Sequence, residues 1–438
     1  MTKKFKFIHT ADIHLGRPLS YGGNPDEELL DIFSQAEQKS LQRLVDKAIT
    51  EKVDFIVISG DLYDREARSV SSSRFFLKLC QKLNNEGIYI YIISGNHDPA
   101  GRKKEPFELP ENVHFFSSEE VEIKEFKKNN QVIARILGQS YRQKFESRSM
   151  YNFYTPQDKS VFNLALLHTA LKADSRRYVP VTKSDLLSKE EIHYWALGHI
   201  HQYQEINKNN PVLAYSGTIQ GRDINEKGNK GCLLIEVDQD MRITKNFIKL
   251  SPIVFKNIKI ELSNKEELQN ISHLKKHIFN RAEKLLNELI NSNENEIVEG
   301  YIVRWLIKGR TEVNQYIKNN RSEVETSLLS ELRSIFAKQR PFLWSHSIVL
   351  RTADKLPELD NLKGRNQLFK ELENLMADLL KKPELEESLL DEWGAIWQGD
   401  SEAEDRENDR FFASKELKKE ILAEAEKIII SELIEGGD

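Results

Sequence analysis

Five polar clusters, each at the end of a short apolar run, constrain the fold of this chain more than any other feature. The clusters are Asp12-Ile13-His14, Gly60-Asp61, Gly95-Asn96-His97-Asp98, His168 and Gly198-His199-Ile200-His201. The runs before them are short and apolar, and those at 5–10, 55–59 and 88–94 also contain β-branched residues, which is typical of buried strands. Ligands of open α/β sheets bind outside the carboxyl ends of the strands. We therefore expect the five clusters to meet at one site.

The first 250 residues repeat one arrangement, in which an apolar run is followed by a polar cluster and then by a helical pattern. The strand-like runs lie at 5–10, 55–59, 88–94, 163–168 and 194–197, with further runs at 213–215 and 232–237. Helical periodicity covers 27–52 and 71–86. This alternation is typical of βαβ units. It predicts a layered α/β core in which two sheets pack face to face and helices flank them.

The pattern changes near residue 253. Strands at 258–262, 301–307 and 344–350, with helices at 265–292 and 313–337, predict a smaller α+β domain. Between Glu384 and Asp409 eleven acidic residues stand against one basic residue, which is typical of a solvated linker. Leu417, Ile421, Ala425 and Ile428 then form one apolar stripe, which predicts a terminal amphipathic helix that packs on its own chain or binds a partner. The predicted domains are 1–250, 251–355 and a helical tail at 356–438.

Composition and cysteine content indicate the cellular compartment of the protein but do not identify a binding partner. The formal net charge of -5 argues neither for nor against binding to DNA. Cys80 and Cys232 are isolated in the sequence, which excludes a disulfide framework and a thiolate metal site. The apolar stretch near the N terminus is too interrupted for a signal peptide, and no run reaches the length of a membrane span. We expect a cytoplasmic protein with no membrane attachment.

The side chains in the five clusters are those of a metal centre. Carboxylate, imidazole and amide donors without sulfur favour Mn²⁺, Fe²⁺ or Zn²⁺. The i, i+2 spacing within the Asp12/His14 and His199/His201 pairs would point both members the same way on an extended backbone. The seven candidate ligands are Asp12, His14, Asp61, Asn96, His168, His199 and His201. One ion does not need so many protein ligands, so the set predicts two divalent ions bridged by Asp61. His97 remains free as a general acid, with Asp98 to orient it.

Simpler interpretations apply to single residues but not to the whole set. One histidine after a strand is usually structural, whereas five clusters in this order favour a site. The histidines without a partner at ligand spacing are left out of the site, namely His114, His193, His273, His277 and His346. The basic clusters Arg102-Lys103-Lys104 and Arg176-Arg177 either contact phosphates or form ordinary solvated loops.

At these residues the sequence resembles the calcineurin-like metallophosphoesterases, and within them the SbcD family of DNA repair exonucleases in its YhaO-like branch. The motifs D-x-H, G-D, G-N-H-D, a lone His and G-H-x-H occur in family order across residues 5–221. The resemblance implies that Asp12, His14, Asp61 and His201 hold a first ion, that Asp61, Asn96, His168 and His199 hold a second, and that His97 is the catalytic histidine. Asp64 follows Gly60-Asp61-Leu62-Tyr63 where some relatives carry a further histidine, so that histidine's role does not carry over.

The same resemblance implies a function and partners. It implies a Mn²⁺-dependent DNA phosphodiesterase, an exonuclease with some endonuclease activity, that works as a homodimer with an SbcC-type coiled-coil ATPase in a DNA repair complex. The second domain would cap the DNA, and the C-terminal helices would dock on the ATPase. Two alternatives remain open at this point. One is a phosphodiesterase for small phosphoesters or cyclic nucleotides, and the other is a scaffold subunit with minor catalysis.

Overall fold

A computed structural model describes residues 4–64, 68–100, 106–173, 177–262, 270–291 and 297–355, together with six isolated positions between 371 and 429. The strands are β1 (Phe5–Thr10), β2 (Phe55–Ser59), β3 (Tyr89–Ile93), β4 (Val113–Phe115), β5 (Glu122–Lys128), β6 (Gln131–Gly138), β7 (Phe162–His168), β8 (Tyr194–Gly198), β9 (Gln204–Asn207), β10 (Val212–Tyr215), β11 (Gly231–Val237), β12 (Ile243–Lys249), β13 (Ile253–Leu262), β14 (Gly300–Thr311) and β15 (Phe342–Asp354). The helices are α1 (Glu27–Thr50), α2 (Val70–Asn85), α3 (Lys183–Leu187), α4 (Ile271–Asn291), α5 (Asn314–Asn319) and α6 (Arg321–Phe336), with a 3₁₀ turn at Met150–Phe153.

Two six-stranded sheets form the core. The first has the order β12-β11-β1-β2-β3-β4, in which β1 to β4 are parallel and β11 runs antiparallel to β1. The second has the order β5-β6-β7-β8-β10-β9, in which β6, β7, β8 and β10 are parallel. The predicted pair of sheets is confirmed.

The sheets pack face to face through aromatic side chains. The ring of Phe7 in β1 lies 5.1 Å from that of Phe55 in β2 and meets the edge of Tyr194 in β8 at 5.6 Å. All three side chains are fully or almost fully buried. Buried aliphatic residues of α1 and α2 cover the outer face of the first sheet. This sandwich holds the carboxyl ends of β1, β2, β3, β7 and β8 at one edge.

Helix α1 begins where the sequence provides a cap. The Asp26 side chain accepts a hydrogen bond from the backbone N–H of Leu29, and two glutamates follow in the first turn, where the helix dipole favours negative charge. The buried side chains Phe33, Leu41 and Leu44 recur at helical spacing along one face.

A third sheet has the order β13-β14-β15. The predicted single helix at 313–337 is wrong, because Asn320 (φ −125°) leaves the helical conformation and separates α5 from α6. The chain divides into two compact units, one of 1–262, 270–308 and 316–351, and one of 263–269, 309–315 and 352–438. In the second, Thr352 donates a hydrogen bond to the Asn314 side chain at 2.8 Å. The three domain ranges expected from the sequence remain a prediction.

Two expectations about the C-terminal region fall on residues that are not described. The acidic stretch at 384–409 and the apolar stripe, apart from Ala425, lie outside the described residues. Within the described part of the chain, none of the helices combines the length and apolar character that crossing a bilayer needs.

Candidate metal centre

The structure brings the five polar clusters together at one edge of the sandwich. Five of the seven candidate ligands are buried, namely Asp12, His14, Asp61, Asn96 and His168, whereas His199 and His201 are partly exposed at the mouth of the site. Among the described residues, donor atoms of Asp12, His14 and His201 lie within 4.8 Å of one another, and so do those of Asp12, Asp61 and His168.

One group of donors forms around His14 and His201. Their Nε2 atoms face each other at 3.3 Å, and Nε2 of His201 lies 3.8 Å from Oδ1 of Asp12. Two imidazole nitrogens beside a carboxylate form the donor set of a divalent cation. The residues present therefore fit a metal ion.

A second group of donors forms around Asn96. Its Oδ1 atom lies 2.9 Å from Nε2 of His168 and 3.2 Å from Nδ1 of His199. Asp61 lies between the two groups, since its Oδ2 atom is 3.6 Å from Nε2 of His14 and 3.4 Å from Nε2 of His168. One carboxylate thus reaches both sets of donors.

The backbone that presents these donors is strained rather than extended. Asp12, His14 and Asp61 have φ values of 52°, 48° and 53°, and His199 has φ 98°. Positive φ is uncommon for residues other than glycine and often marks functional sites. The expectation that an extended backbone aligns each i, i+2 pair is therefore wrong. Backbone hydrogen bonds align the first pair instead, from Asp12 N–H to Gly60 O at 3.1 Å and from His14 N–H to Asp61 O at 2.9 Å.

Gly198 is required by a close approach between β2 and β8. A Cβ atom at this position would lie 1.9 Å from the carbonyl oxygen of Ser59 and 2.9 Å from Nδ1 of His168. A side chain here would push apart the strands that carry Asp61 and His199.

Burial and charge set the protonation of the cluster. Burial lowers the pKa of His14 well below its ordinary value and, with His168 as the next cause, lowers the pKa of His199 to about 3. At His168 burial also favours the neutral ring, but the Asp61 carboxylate outweighs it and raises the pKa to about 9. Burial opposes the charge on Asp61, yet His168 and His14 hold the pKa of that carboxyl below its ordinary value. The cluster thus holds the ionised Asp61 carboxylate beside a protonated His168, whereas His14 and His199 are neutral.

The part of the chain that carries this site is similar in sequence to known proteins. A sequence model described as "Calcineurin-like phosphoesterase" matches residues 5–203. Those residues form a calcineurin-like phosphoesterase domain. The matched range includes all seven candidate ligands and His97.

Three curated proteins are similar to this chain over more than half of its length. The metallophosphoesterase YhaO of Bacillus subtilis is 29% identical over 84% of this chain and 86% of its own length. The DNA double-strand break repair protein Mre11 of Archaeoglobus fulgidus is 27% identical over 58% of each chain. A subunit of the nuclease SbcCD of Staphylococcus epidermidis is 26% identical over 66% of this chain and 87% of its own length. The chain is similar to each of them.

His97 lies beside both donor groups of the phosphoesterase domain. Its backbone N–H donates to Oδ1 of Asp61 at 2.8 Å, and its ring lies 4.6 Å from that of His14. Its Nδ1 atom is 3.6 Å from Oδ2 of Asp64. The sequence pattern assigned no role to Asp64, which follows Asp61 by three residues. The Asp64 residue is buried, with 8% of its surface exposed.

Asp98 has different neighbours from those expected. Its Oδ2 atom accepts from the backbone N–H groups of Leu62 and Tyr63 at 2.8 and 3.2 Å, and its Oδ1 atom accepts from Gly95 N–H at 2.8 Å. Burial, with Asp61 as the next cause, raises the pKa of Asp98 to about 7. The carboxyl group ties the Asp61 loop to the Asn96 loop. The role of Asp98 in orienting His97 remains a prediction, and Asp64 is the second candidate.

Residues beyond the matched range brace His201 and Asp12. Oε1 of Glu226 lies 2.5 Å from Nδ1 of His201, and Oε2 of Glu226 accepts from Arg222 N–H at 2.8 Å. Thr218 donates to the carbonyl of Asp12 at 2.8 Å. Glu226 carries no signal at the level of sequence, because it lies in a loop 25 residues after His201 without a motif of its own.

The other histidines lie where structural roles account for them. His193 Nδ1 accepts from Asn163 N–H at 3.0 Å, His114 stacks on Tyr91 with ring centroids 5.2 Å apart, and His346 contacts Ser347 at 2.9 Å. His273 and His277 lie on α4. Of the two predicted basic clusters, only Arg177 is described, and it is exposed.

Proposed function

We propose that this chain is a phosphodiesterase that uses two divalent metal ions and that its substrate is DNA. The observation that carries the proposal is the position of Asp61, whose Oδ2 atom lies within 3.6 Å of Nε2 of both His14 and His168. A carboxylate shared by two sets of imidazole and oxygen donors suits a pair of neighbouring ions.

The proposed ligands fall into two sets that share Asp61. Asp12, His14, Asp61 and His201 hold the first ion, and Asp61, Asn96, His168 and His199 hold the second. Hydrogen bonds favour the tautomers that this role needs, because Nδ1 of His168 lies 2.9 Å from Ser59 O and Nδ1 of His201 lies 2.5 Å from Glu226. Both Nε2 lone pairs are then available to a cation. Oxygen and nitrogen donors without sulfur suit Mn²⁺, Fe²⁺ or Zn²⁺, and of these we propose Mn²⁺.

When bound, such ions neutralise charge on a phosphoryl group and make water a better nucleophile at neutral pH. The protein's own contribution is at the departing oxygen. The His97 side chain is 34% exposed, so substrate can reach it, whereas His14 and His168 are fully buried. His97 donates a proton to the oxygen that leaves as the P–O bond breaks. Asp64, beside Nδ1 of His97, holds the ring in the orientation for this transfer.

The relatives support DNA as the substrate. The names of two of them describe a nuclease and a DNA double-strand break repair protein. We propose that this chain is an exonuclease, with endonuclease activity, and the nuclease subunit of an SbcCD-like repair complex. It works as a homodimer with an SbcC-type coiled-coil ATPase, which binds the C-terminal helix.

Cleavage of end-labelled double-stranded DNA with Mn²⁺ tests the activity. We expect the wild-type protein to shorten the DNA and His97→Asn to leave it intact. Hydrolysis of a chromogenic phosphodiester is the parallel measurement. An enzyme that hydrolyses the small ester and cuts no DNA, even with its ATPase, would be a small-molecule phosphodiesterase and would refute the nuclease proposal.

The partner proposal has its own test. Deletion of residues 411–438 is expected to spare DNA cleavage by the isolated protein and to weaken copurification with the coiled-coil ATPase. Unchanged copurification would contradict a docking role for the C-terminal helix.

A further inference from the structure

A basic and aromatic loop stands beside the metal centre and has no part in it. Residues 142–145, with the sequence Arg-Gln-Lys-Phe, are all exposed, whereas the residues on either side, Tyr141 and Glu146, are buried. The Phe145 side chain is 50% exposed, and the three exposed residues before it are polar or cationic. The loop thus presents one aromatic ring and two cations to solvent at the same place.

The loop is fixed to the metal centre through Tyr141. The Tyr141 hydroxyl donates to the carbonyl of His168 at 2.6 Å, and its ring meets the His168 ring edge-on at 5.3 Å. Its backbone N–H donates to Ser94 O at 3.0 Å, and its carbonyl accepts from Ala100 N–H at 3.0 Å. The start of the loop is thus tied both to a candidate ligand and to the segment that carries Asn96 and His97.

The other end of the loop is fixed by Glu146. Its carboxylate binds Arg148 through two nitrogens, at 2.8 and 2.6 Å, so its charge is compensated. Its backbone N–H donates to Arg177 O at 3.1 Å. The loop therefore presents its exposed side chains from a rigid base that also holds Arg177.

Arg177 and Tyr178 connect this loop to the metal centre. The Arg177 guanidinium lies 5.9 Å from the Phe145 ring centroid, and the ring of the next residue, Tyr178, lies 4.0 Å from that of His199. Phe145, Arg177, Tyr178 and His199 thus mark a path from the loop to a candidate ligand, in which the step from Arg177 to Tyr178 is along the backbone.

The charges along the path fit a phosphate backbone. Arg142, Lys144 and Arg177 are exposed cations. The acid paired with the Arg142 guanidinium is Glu119, whose carboxylate lies 3.6 Å away in a pair with both side chains 64% exposed. Such exposed pairs contribute little, so Arg142 is available to a phosphate. Cations interleaved with an exposed ring are the features that bind unpaired nucleotides, through phosphate contacts and base stacking.

We propose that this loop and Arg177 bind a single-stranded segment of the substrate, with one unpaired base stacked on Phe145. The inference rests on the proposed DNA phosphodiesterase function and specifies the form in which the strand enters. The cations contact the phosphates on either side of the stacked base. The enzyme therefore binds strands whose bases are free of the duplex more tightly than sugar-phosphate chains without bases.

The test compares binding of two strands by fluorescence anisotropy with Mn²⁺ present, using His97→Asn so that the strand is not cut. One is a single-stranded thymidine oligonucleotide, and the other is an abasic strand of equal length and phosphate count. We expect the thymidine strand to bind at least about fivefold more tightly, the equivalent of about 1 kcal/mol. Adding Phe145→Ala should abolish that preference, and Phe145→Trp should keep it.

Matched variants separate stacking from charge. Gln143→Ala, in the same exposed loop, should retain both affinities. Arg177→Ala should weaken both strands and reduce the salt dependence by about 0.7 for each phosphate that is no longer neutralised. Equal binding of both strands before any loop change, or a preference that survives Phe145→Ala, would overturn the stacking proposal. Failure of wild-type protein to cut any DNA would refute the nuclease function instead, whatever the anisotropy shows.

Discussion

Oε1 of Glu226 lies 2.5 Å from Nδ1 of His201, and Nε2 of the same imidazole faces His14 and Asp12. The carboxylate thus fixes the ring orientation and the tautomer of a proposed metal ligand. Arg222, which is 4% exposed, donates its backbone N–H to Glu226 and so holds the carboxylate in place. This brace comes from a segment that the phosphoesterase sequence model does not cover.

Glu226→Gln is expected to weaken binding of one Mn²⁺ ion by about 10-fold to 100-fold, because the ring loses its anionic partner. Isothermal titration calorimetry would measure both sites. Glu125→Gln, an exposed change on β5, is the matched control and should bind as wild type does. Equal affinities in the two variants would show that the carboxylate does not tune the site.

His97→Asn is expected to keep both metal ions and to lower the rate of DNA cleavage by about 10²-fold to 10⁴-fold, since the departing oxygen loses its proton donor. Metal content by mass spectrometry and cleavage of labelled DNA are measured on the same preparation. Full activity with both ions bound would remove His97 from the mechanism.

Asp64→Asn is expected to reduce cleavage less than His97→Asn does, because Asp64 acts through the orientation of that ring. In the double variant, the second change should cause no further loss, as expected for residues that act together. Single-turnover rates of the four proteins test this. Independent, multiplicative losses would mean that Asp64 serves another purpose.

Gly198→Ala is expected to destabilise the fold by about 1–3 kcal/mol through overpacking, because the new methyl group would lie 1.9 Å from Ser59 O. Thermal unfolding would measure the change. Gly87→Ala is a useful control, since φ is +70° there but no atom lies within 4 Å of the added Cβ. This control introduces backbone strain without a steric clash. We expect Gly198→Ala to lose more stability than Gly87→Ala and to bind metal more weakly.

Glu37 predicts a pH dependence of stability. Burial raises the pKa of Glu37 from 4.5 to about 8, so the folded chain holds this proton across a range in which the unfolded chain has lost it. Its contribution to stability is therefore fully present below pH 4.5 and is lost as pH rises towards 8. Relative to wild type, Glu37→Gln should gain stability from pH 5 to pH 8. A constant difference in melting temperature across that range would contradict the assignment.

Much of the core could be predicted because its strands are buried on both faces. The runs at 5–10 and 55–59 match β1 and β2 at both ends, since continuous apolar character is a strong signal. The hairpin of β5 and β6 was missed, because β5 is half exposed and has a polar sequence. Its turn did carry a signal, as Asn129 and Asn130 both have positive φ, which suits a two-residue hairpin loop.

The convergence of the five clusters could be predicted from the sequence, whereas their backbone geometry could not, and the roles of the residues as metal ligands remain predictions. The five clusters converge because parallel strands end at one edge, a rule that sequence order alone can use. The positive φ of Asp12 and His14 depends on hydrogen bonds to Gly60 and Asp61, which form only when β1 and β2 lie side by side. Glu226 and Asp64 gain their positions from tertiary contacts in the same way. Local pattern carries no information about such contacts.

The position of β1 in the first sheet has a consequence for synthesis of the chain. Its neighbours are β2 on one side and β11 on the other, so residues 11–230 must be made before its second edge can pair. At ribosomal rates this interval lasts roughly 10 to 45 s. Glu226 emerges in the same interval, just before β11. During this interval one edge of β1 in the nascent chain has no partner strand, and His201 lacks its contact with Glu226. Both interactions form late in the synthesis of the domain.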